Sequence, residues 1–288
     1  MEVGKMASNT KKSIQFMLIS TFAFACMNVI VKYLENVSAY QIVFFRSISS
    51  FVFTFTYLLK NRIPILGNNK KWLILRGLVG VTSMTLFFMS IKYLSVGTAV
   101  SLRYLAPIFA GIFAVLFLKE KIWPLQWLFF VMAFIGVLVL KGFDSQINTT
   151  GLLFVLIAAI TSGLVFIIIN KIGTSEHPVV VVNYFMAIAT LTGLALSINN
   201  WVNPVGFEWV LLFSLGVFGY FGQVFMTKAF QTGKTDQIAP IKYAEVVFTV
   251  IFGLLLFDEI YSIWSLLGIT LIIGSLILNI LYKSRKNK

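Results

Sequence analysis

Ten long apolar stretches fill most of this 288-residue chain, and they leave few ways for it to fold. A bilayer core of ~30 Å is crossed by about 20 residues of α-helix. Stretches of about that length lie at 13–34, 40–59, 72–93, 97–118, 124–141, 150–170, 178–198, 208–231, 236–257 and 263–282. Because a backbone in lipid must satisfy its own hydrogen bonds, each stretch is predicted to be a transmembrane helix. The predicted fold class is an all-α integral membrane protein.

The composition supports a membrane protein and excludes several other classes. Hydrophobic residues make up 59% of the chain and charged residues only 11%, whereas roughly a quarter of a soluble domain is charged. The single cysteine, Cys26, rules out an internal disulfide, and the single histidine, His177, leaves no cluster of metal ligands. No cofactor or metal is therefore expected. Residues 23–26 loosely resemble a signal-peptide cleavage site, but the apolar run continues to Tyr33, which favours a retained first helix.

Lysine and arginine lie mainly on one side of the predicted membrane. The side that holds both termini has fifteen of the 23 basic residues, and the other side has only Lys141. The fifteen are Lys5, Lys11, Lys12, Lys60, Arg62, Lys70, Lys71, Lys119, Lys121, Lys171, Lys234, Lys283, Arg285, Lys286 and Lys288. Since such residues are enriched in cytoplasmic loops, we expect a multi-pass protein of the plasma (inner) membrane with both termini cytoplasmic. Membrane lipid is then an expected partner of these loops, and nucleic acid is not.

An internal repeat divides the chain into two halves. Residues 103–120 (RYLAPIFAGIFAVLFLKE) and 242–259 (KYAEVVFTVIFGLLLFDE) are identical at six of 18 aligned positions. The copies lie five predicted spans apart, and this number is odd, so the two halves cross the membrane in opposite directions. In agreement, Asp258 stands in the second copy where the first has Lys119. The loop after the second copy is predicted to lie on the non-cytoplasmic side, where lysine is disfavoured.

The predicted organisation is therefore two inverted five-helix repeats, over residues 1–145 and 146–288. Inverted repeats of this kind are the architecture of transporters that work by alternating access, with the substrate near the membrane midplane between the halves. The repeat thus favours a transporter, and it predicts that the substrate site lies where the two halves meet.

Several short motifs resemble those of a known transporter family. They are LFLKEKIWPLQWLFFVMAFIGVLVL (116–140), LLLFDEIYSIWSLLGITLIIGSLIL (254–278), MNVIVKYL (27–34), FFRS (44–47) and RGLVG (76–80). Through them the chain is similar, over essentially its whole length, to the EamA-like ten-span exporters of the drug/metabolite transporter superfamily. The resemblance implies a central cavity between the halves, peripheral fifth and tenth spans, and export of amino-acid-like or other metabolites. Asn183 stands roughly where Arg46 would recur, so a symmetric binding site is not expected.

Four charged residues lie deep within predicted spans, where charge is costly, and these indicate the functional site. Arg46, Arg103 and Lys242 each lie some six residues from a span end, and Glu245 is close to the centre of the ninth span. These side chains are expected to face protein or a wet cavity. Four further basic residues lie nearer the ends and are expected to reach the interface: Lys32, Arg76, Lys92 and Lys228.

The roles of these residues remain open at this point. Lys242 and Glu245, three residues apart, are either a structural pair on one helix face or part of a functional site. In the functional reading, Arg46, Arg103 or Lys242 binds an anionic part of the substrate. Glu245 is then a protonatable switch, because burial favours its neutral form and a nearby cation favours its charged form.

Three uncharged residues complete the candidate site. Tyr104 and Tyr243, which are repeat partners, either hydrogen-bond the substrate or pack against each other. Asn28 either contacts the substrate or forms a hydrogen bond between helices. Glu245 has no such counterpart, because Ala106 occupies its partner position.

The resulting prediction is a secondary active transporter, and specifically an exporter, of a small metabolite that is amino-acid-like or anionic, with proton coupling through Glu245. A lipid-linked flippase or a passive channel of the same fold remains the alternative, and a homodimer is left open. An enzyme is not expected, because the HExxH and GxSxG motifs are missing. QTGKT at 231–235 lacks the earlier glycine of a phosphate-binding loop, since Lys228 occupies that position.

Overall fold

The computed structural model describes residues 2–119, 122–143, 147–172, 175–232 and 239–286, and the regular structure in these ranges is entirely helical. The helices are α1 Glu2–Tyr33, α2 Ala39–Lys60, α3 Lys70–Ile91, α4 Val96–Arg103, α5 Ala106–Leu118, α6 Pro124–Phe143, α7 Thr149–Ile172, α8 Pro178–Ser197, α9 Glu208–Thr232, α10 Ala244–Leu256 and α11 Ile263–Lys286. Nine helical segments of the described chain are long and apolar enough to cross a membrane, and α4 and α5 together form one of them. The predicted all-α membrane fold is confirmed.

The predicted fourth span is broken at its middle into α4 and α5. A proline ring clashes with the carbonyl group four residues earlier and has no N–H to donate. Pro107 lies four residues after Arg103, and α4 ends at Arg103. The break leaves Tyr104 and Leu105 between the two helices, at the depth where substrate was expected.

The predicted ninth span, 236–257, begins differently from the others. Its described part opens with a 3-10 turn, Ala239–Tyr243, and only then becomes the regular helix α10. The turn contains Pro240. Lys242 therefore lies in the turn, and Glu245 lies in the first turn of α10.

The helices pack with the two-fold pattern that a repeat requires. In the second half, α7, α8, α9, α10 and α11 correspond to α1, α2, α3, α5 and α6. The pair α1–α9 has its counterpart in α7–α3, and α5–α7 has its counterpart in α10–α1. The pairs α2–α8 and α6–α11 each join a helix to its own counterpart. The predicted two-repeat fold is thereby confirmed, while the division between residues 145 and 146 stays a prediction because 144–146 lie outside the described ranges.

The bundle has two ends, which are named here by the chain. The terminal end holds the start of α1 and the end of α11, and the distal end holds the connections 34–38, 92–95 and 257–262. Which of the two faces the cytoplasm remains a prediction from the distribution of lysine and arginine.

Helices α6 and α11 pack chiefly against each other through paired glycines. An added Cβ on Gly268 would lie 2.8 Å from the carbonyl oxygen of Gly136, whereas one on Gly274 would meet no described residue within 4 Å. Gly268→Ala should therefore lower the free energy of unfolding by about 1–3 kcal/mol through overpacking. Gly274→Ala should leave it unchanged or raise it, because alanine is the better helix former by ~1 kcal/mol. Thermal unfolding in detergent checks this pair, and equal shifts for both variants would contradict it.

Candidate functional site

A cavity of about 140 Å³ lies at the level of the break between α4 and α5. It is lined by residues of both repeats, and all four deep charged residues are among them: Arg46, Arg103, Lys242 and Glu245. Tyr104 also lines the cavity. Asn28 and Tyr243 are buried and are not among its lining residues. The cavity spans the middle of the bundle, because its lining includes Val100 on the distal side and Met226 on the terminal side. The sequence therefore identified side chains that the fold brings to one place.

Glu245 is held by two uncharged donors from the first repeat. Its Oε2 atom accepts a hydrogen bond from the Tyr104 hydroxyl at 2.7 Å, and its Oε1 atom accepts one from Asn28 Nδ2 at 2.9 Å. Only 5% of the Glu245 side chain is exposed. The start of α10 also favours a negative charge there, because the first turn of a helix has unpaired N–H groups. The carboxyl group thus links α1, the α4–α5 break and α10.

Lys242 and Glu245 do not form the ion pair that their spacing suggested. In the described part of the chain, Glu245 accepts its hydrogen bonds from Tyr104 and Asn28, and no ion pair joins it to Lys242. The reason is that both carboxylate oxygens of Glu245 already accept from Tyr104 and Asn28, while the Lys242 ammonium group lies over the Tyr104 ring. The structural-pair interpretation therefore loses its geometric basis.

The charged ends of Arg103 and Lys242 lie against aromatic rings. The guanidinium carbon of Arg103 is 4.2 Å from the centre of the Phe87 ring, and Lys242 Nζ is 5.6 Å from the centre of the Tyr104 ring. Cation–π contacts of this kind stabilise a cation modestly and leave its hydrogen atoms free to donate. Among the described residues, neither group donates a hydrogen bond or joins an ion pair. Both cations therefore have donors available at the cavity.

Arg46 lies on the cavity wall between two methionines. Its Nε atom is 3.3 Å from Met27 Sδ, its Nη1 atom is 2.6 Å from Met84 Sδ, and 6% of the side chain is exposed. A thioether sulfur is only a weak acceptor. A buried cation normally needs a stronger partner than this. Arg46 thus adds a poorly compensated positive charge to the cavity, which gives three cations to one carboxylate.

The two tyrosines have different roles in the structure. Their ring centres lie 4.9 Å apart in an edge-to-face arrangement, so the packing expected of repeat partners is present. Tyr104 also presents its hydroxyl group to Glu245 and to the carbonyl oxygen of Lys242, at 2.7 and 3.1 Å. Tyr243 is 6% exposed and packs into the hydrophobic core. Tyr104 is therefore the better candidate for direct contact with a substrate.

Arg76 departs from its expected position at the interface. Its guanidinium carbon lies 4.1 Å from the centre of the Phe185 ring, and its Nε and Nη1 atoms are buried without a hydrogen-bond partner among the residues that the structure describes. The reason is that the side chain extends along α3 towards Gly80, away from the terminal end, since its Nη1 atom would lie 2.6 Å from a Cβ added to Gly80. Met27, Met84 and Phe87 were not predicted at all, because apolar residues in an apolar helix give no distinguishing signal.

Similar proteins are known in several bacteria. The pseudopaline exporter of Pseudomonas aeruginosa is 27% identical over 266 residues, which is 91% of this chain and 94% of that protein. The S-adenosylmethionine uptake transporter of Rickettsia conorii is 31% identical, over 95% of this chain and 93% of its own. One crystal structure superposes with a TM-score of 0.64 over 97% of both chains at 18% identity, which supports the fold alone.

The family model described as the EamA-like transporter family matches the chain twice, over residues 11–141 and 149–281. The two matches together cover most of the sequence, and they agree with the resemblance found in its motifs. The chain therefore belongs to the EamA-like transporter family, and the prediction of a membrane transporter rather than an enzyme is confirmed.

Proposed function

We propose that this protein is a secondary active transporter that exports a small amino-acid-like metabolite by alternating access, in exchange for protons. The observation that carries the proposal is the charge of one cavity between the two repeats. Arg103 and Lys242 form no hydrogen bond or ion pair with an acidic side chain in the described chain, and Glu245 lies among the same lining residues. A carboxylate and an amine on one small molecule would complement these groups.

The carboxylate of the cargo is assigned to Arg103 and Lys242. Hydrogen bonds between charged groups are shorter and roughly twice as strong as neutral ones. Arginine in particular presents several N–H groups in a plane that suits a carboxylate. The relatives described above are named for the export of pseudopaline and the uptake of S-adenosylmethionine, and a small-metabolite cargo is consistent with both names.

The proton is assigned to Glu245. An ionised carboxylate only accepts hydrogen bonds, and a protonated one must also donate. Tyr104 has one hydroxyl hydrogen, which can be donated to Glu245 Oε2 at 2.7 Å or to the carbonyl oxygen of Lys242 at 3.1 Å. When Glu245 is protonated it can donate to the Tyr104 oxygen, and Tyr104 can then donate to the Lys242 carbonyl group. The proton is accommodated without leaving a buried donor unpaired.

Exchange follows if the proton and the cargo amine compete for Glu245. A charged amine binds the carboxylate form, so a proton from the acidic side displaces the cargo there. The protonated site then opens to the other side, releases its proton there, and binds cargo again in the carboxylate form. An inward proton gradient would in this way drive export.

Competition for transport in reconstituted vesicles tests the chemistry of the cargo. We expect amino-acid-like carboxylates to compete for uptake of a labelled cargo, and their methyl esters to compete at least ~10-fold less well, because the ester removes the charge that Arg103 and Lys242 would bind. Loss of one hydrogen bond to a charged group costs about 1.5–3 kcal/mol. Competition by cationic compounds alone would contradict the proposal.

A further inference from the structure

The distal end of the bundle contains a polar contact between the two repeats. Glu259 follows α10, and its two carboxylate oxygens accept from the backbone N–H of Val96 at 3.1 and 3.2 Å. Tyr261 donates its hydroxyl hydrogen to Glu259 Oε2 at 2.6 Å and accepts from the N–H of Gly97 at 3.2 Å. The second repeat thus binds the first turn of α4 through two side chains, those of Glu259 and Tyr261. The contact is here called the α4 latch, and its four residues are Val96, Gly97, Glu259 and Tyr261.

Two features of the chain allow this close approach. A Cβ added to Gly97 would overlap Val250 and lie 2.9 Å from the Tyr261 hydroxyl, and one added to Gly253 would overlap the Glu259 carboxylate. Asp258 has a φ of 49°, in the left-handed region that aspartate tolerates better than most residues. The turn at Asp258 directs the chain back, so that Glu259 reaches the start of α4.

The α4 latch lies between the cavity and the distal surface. Val100 is the lining residue of α4 nearest to the distal end, and the latch begins one turn beyond it at Val96. Val96 and Ala99 are both fully buried in the hydrophobic core. The latch and these buried residues therefore cover the distal side of the cavity at α4.

We propose that the α4 latch is the distal gate of the transport pathway. Transporters built from inverted repeats expose the site by moving one repeat against the other, and the latch is a contact between repeats that such a movement must break. Glu259 and Tyr261 are only half-buried, so water can replace their hydrogen bonds when they separate. This gate rests on the proposed function, because without alternating access it would have nothing to open.

Tyr261→Phe is the most specific way to weaken the gate. The substitution keeps the ring and removes both the donor to Glu259 and the acceptor for Gly97. Glu176→Gln is a matched control at the terminal end, where Glu176 also joins the repeats by accepting from the backbone N–H of Asn68 at 2.6 Å. Both variants alter one contact between the repeats, but only the first alters it on the distal side.

The test is the rate at which a membrane-impermeant maleimide labels a cysteine in the cavity. The reporter is Val100→Cys in a Cys26→Ser background, in right-side-out and inverted membrane vesicles. Asn36→Cys, in the exposed connection between α1 and α2, identifies which vesicles present the distal side. We expect Tyr261→Phe to raise labelling from the distal side at least ~3-fold and to lower it from the terminal side, and Glu176→Gln to leave distal labelling unchanged.

Equal distal labelling with and without Tyr261→Phe, in protein that is otherwise folded, would overturn the gate. A rise of the same size with Glu176→Gln would also overturn it, because the effect would then reflect general loosening. Failure of the proposed function has a different signature, since wild-type protein would show no saturable cargo transport whatever the labelling pattern. The two results are therefore read independently.

Discussion

Glu245→Gln should abolish the response of transport to a proton gradient. Glutamine can still bond to Tyr104 and Asn28, but it cannot bind or release a proton. With the membrane potential clamped, exchange of one proton per cargo molecule lets a gradient of about two pH units sustain up to ~100-fold accumulation, since each tenfold ratio corresponds to ~1.4 kcal/mol. The wild-type protein should approach this ratio in proteoliposomes, and the variant should show a ratio near one with or without the gradient.

Glu208→Gln is the matched control for this substitution. Glu208 lies at the distal start of α9 and accepts from the backbone N–H of Val205, away from the cavity. It should keep the full response to the gradient. Gradient-driven accumulation by Glu245→Gln at the wild-type level would show that the proton is carried elsewhere.

Arg103→Gln and Lys242→Gln should each raise the KM for a carboxylate cargo by roughly 10–100-fold. The reason is the loss of a hydrogen bond between charged groups, which is worth about 1.5–3 kcal/mol. The methyl ester of the same cargo should be affected much less, because it lacks the charge that these residues bind. Concentration dependence of initial uptake into proteoliposomes measures both values.

Lys228→Gln is the control for removal of a positive charge within a membrane span. Lys228 is exposed near the terminal end of α9 and lies outside the cavity lining, with its Nζ atom 5.5 Å from the centre of the Phe225 ring. Its KM for the carboxylate cargo should stay near that of the wild type. An equal effect of Lys228→Gln would indicate a change of surface potential rather than a lost contact.

The membrane fold could be predicted from the sequence because span length is a strong physical constraint. An apolar run of about 20 residues has few alternatives to a membrane helix, and the odd number of spans in the repeat requires inversion. The charged residues deep in the spans could also be identified from the sequence, because few side chains cost as much free energy in lipid. Arg46, Arg103, Lys242 and Glu245 were identified in this way, and the structure places them at one cavity. Their roles in transport remain proposals.

The local geometry of the site could not be predicted, because it depends on where helices break. Periodicity treated 236–257 as one helix and left open whether Lys242 and Glu245 form a pair on one face. In the structure Lys242 lies in a 3-10 turn, and Glu245 bonds Tyr104 and Asn28 instead. The bond from Asn28 to Glu245 joins residues 217 positions apart, and pattern analysis of single helices cannot detect it. The repeat did align Tyr104 with Tyr243, but only the packed structure shows that Tyr104 bonds Glu245.

Glu120, the repeat partner of Glu259, and the neighbouring Lys121 lie outside the described ranges, as does Lys234. The correspondence of Glu120 with Glu259 therefore stays a prediction from the aligned motifs.

Trans-stimulation in proteoliposomes tests the central claim, that the cavity alternates between the two sides of the membrane. Vesicles loaded with unlabelled cargo are diluted into labelled cargo, and the uptake of label is followed over time. A carrier should show saturable uptake, accelerated by internal cargo, with a transient rise of internal label above the external concentration. Uptake that increases linearly with concentration and does not respond to internal cargo would contradict the account and indicate a passive channel.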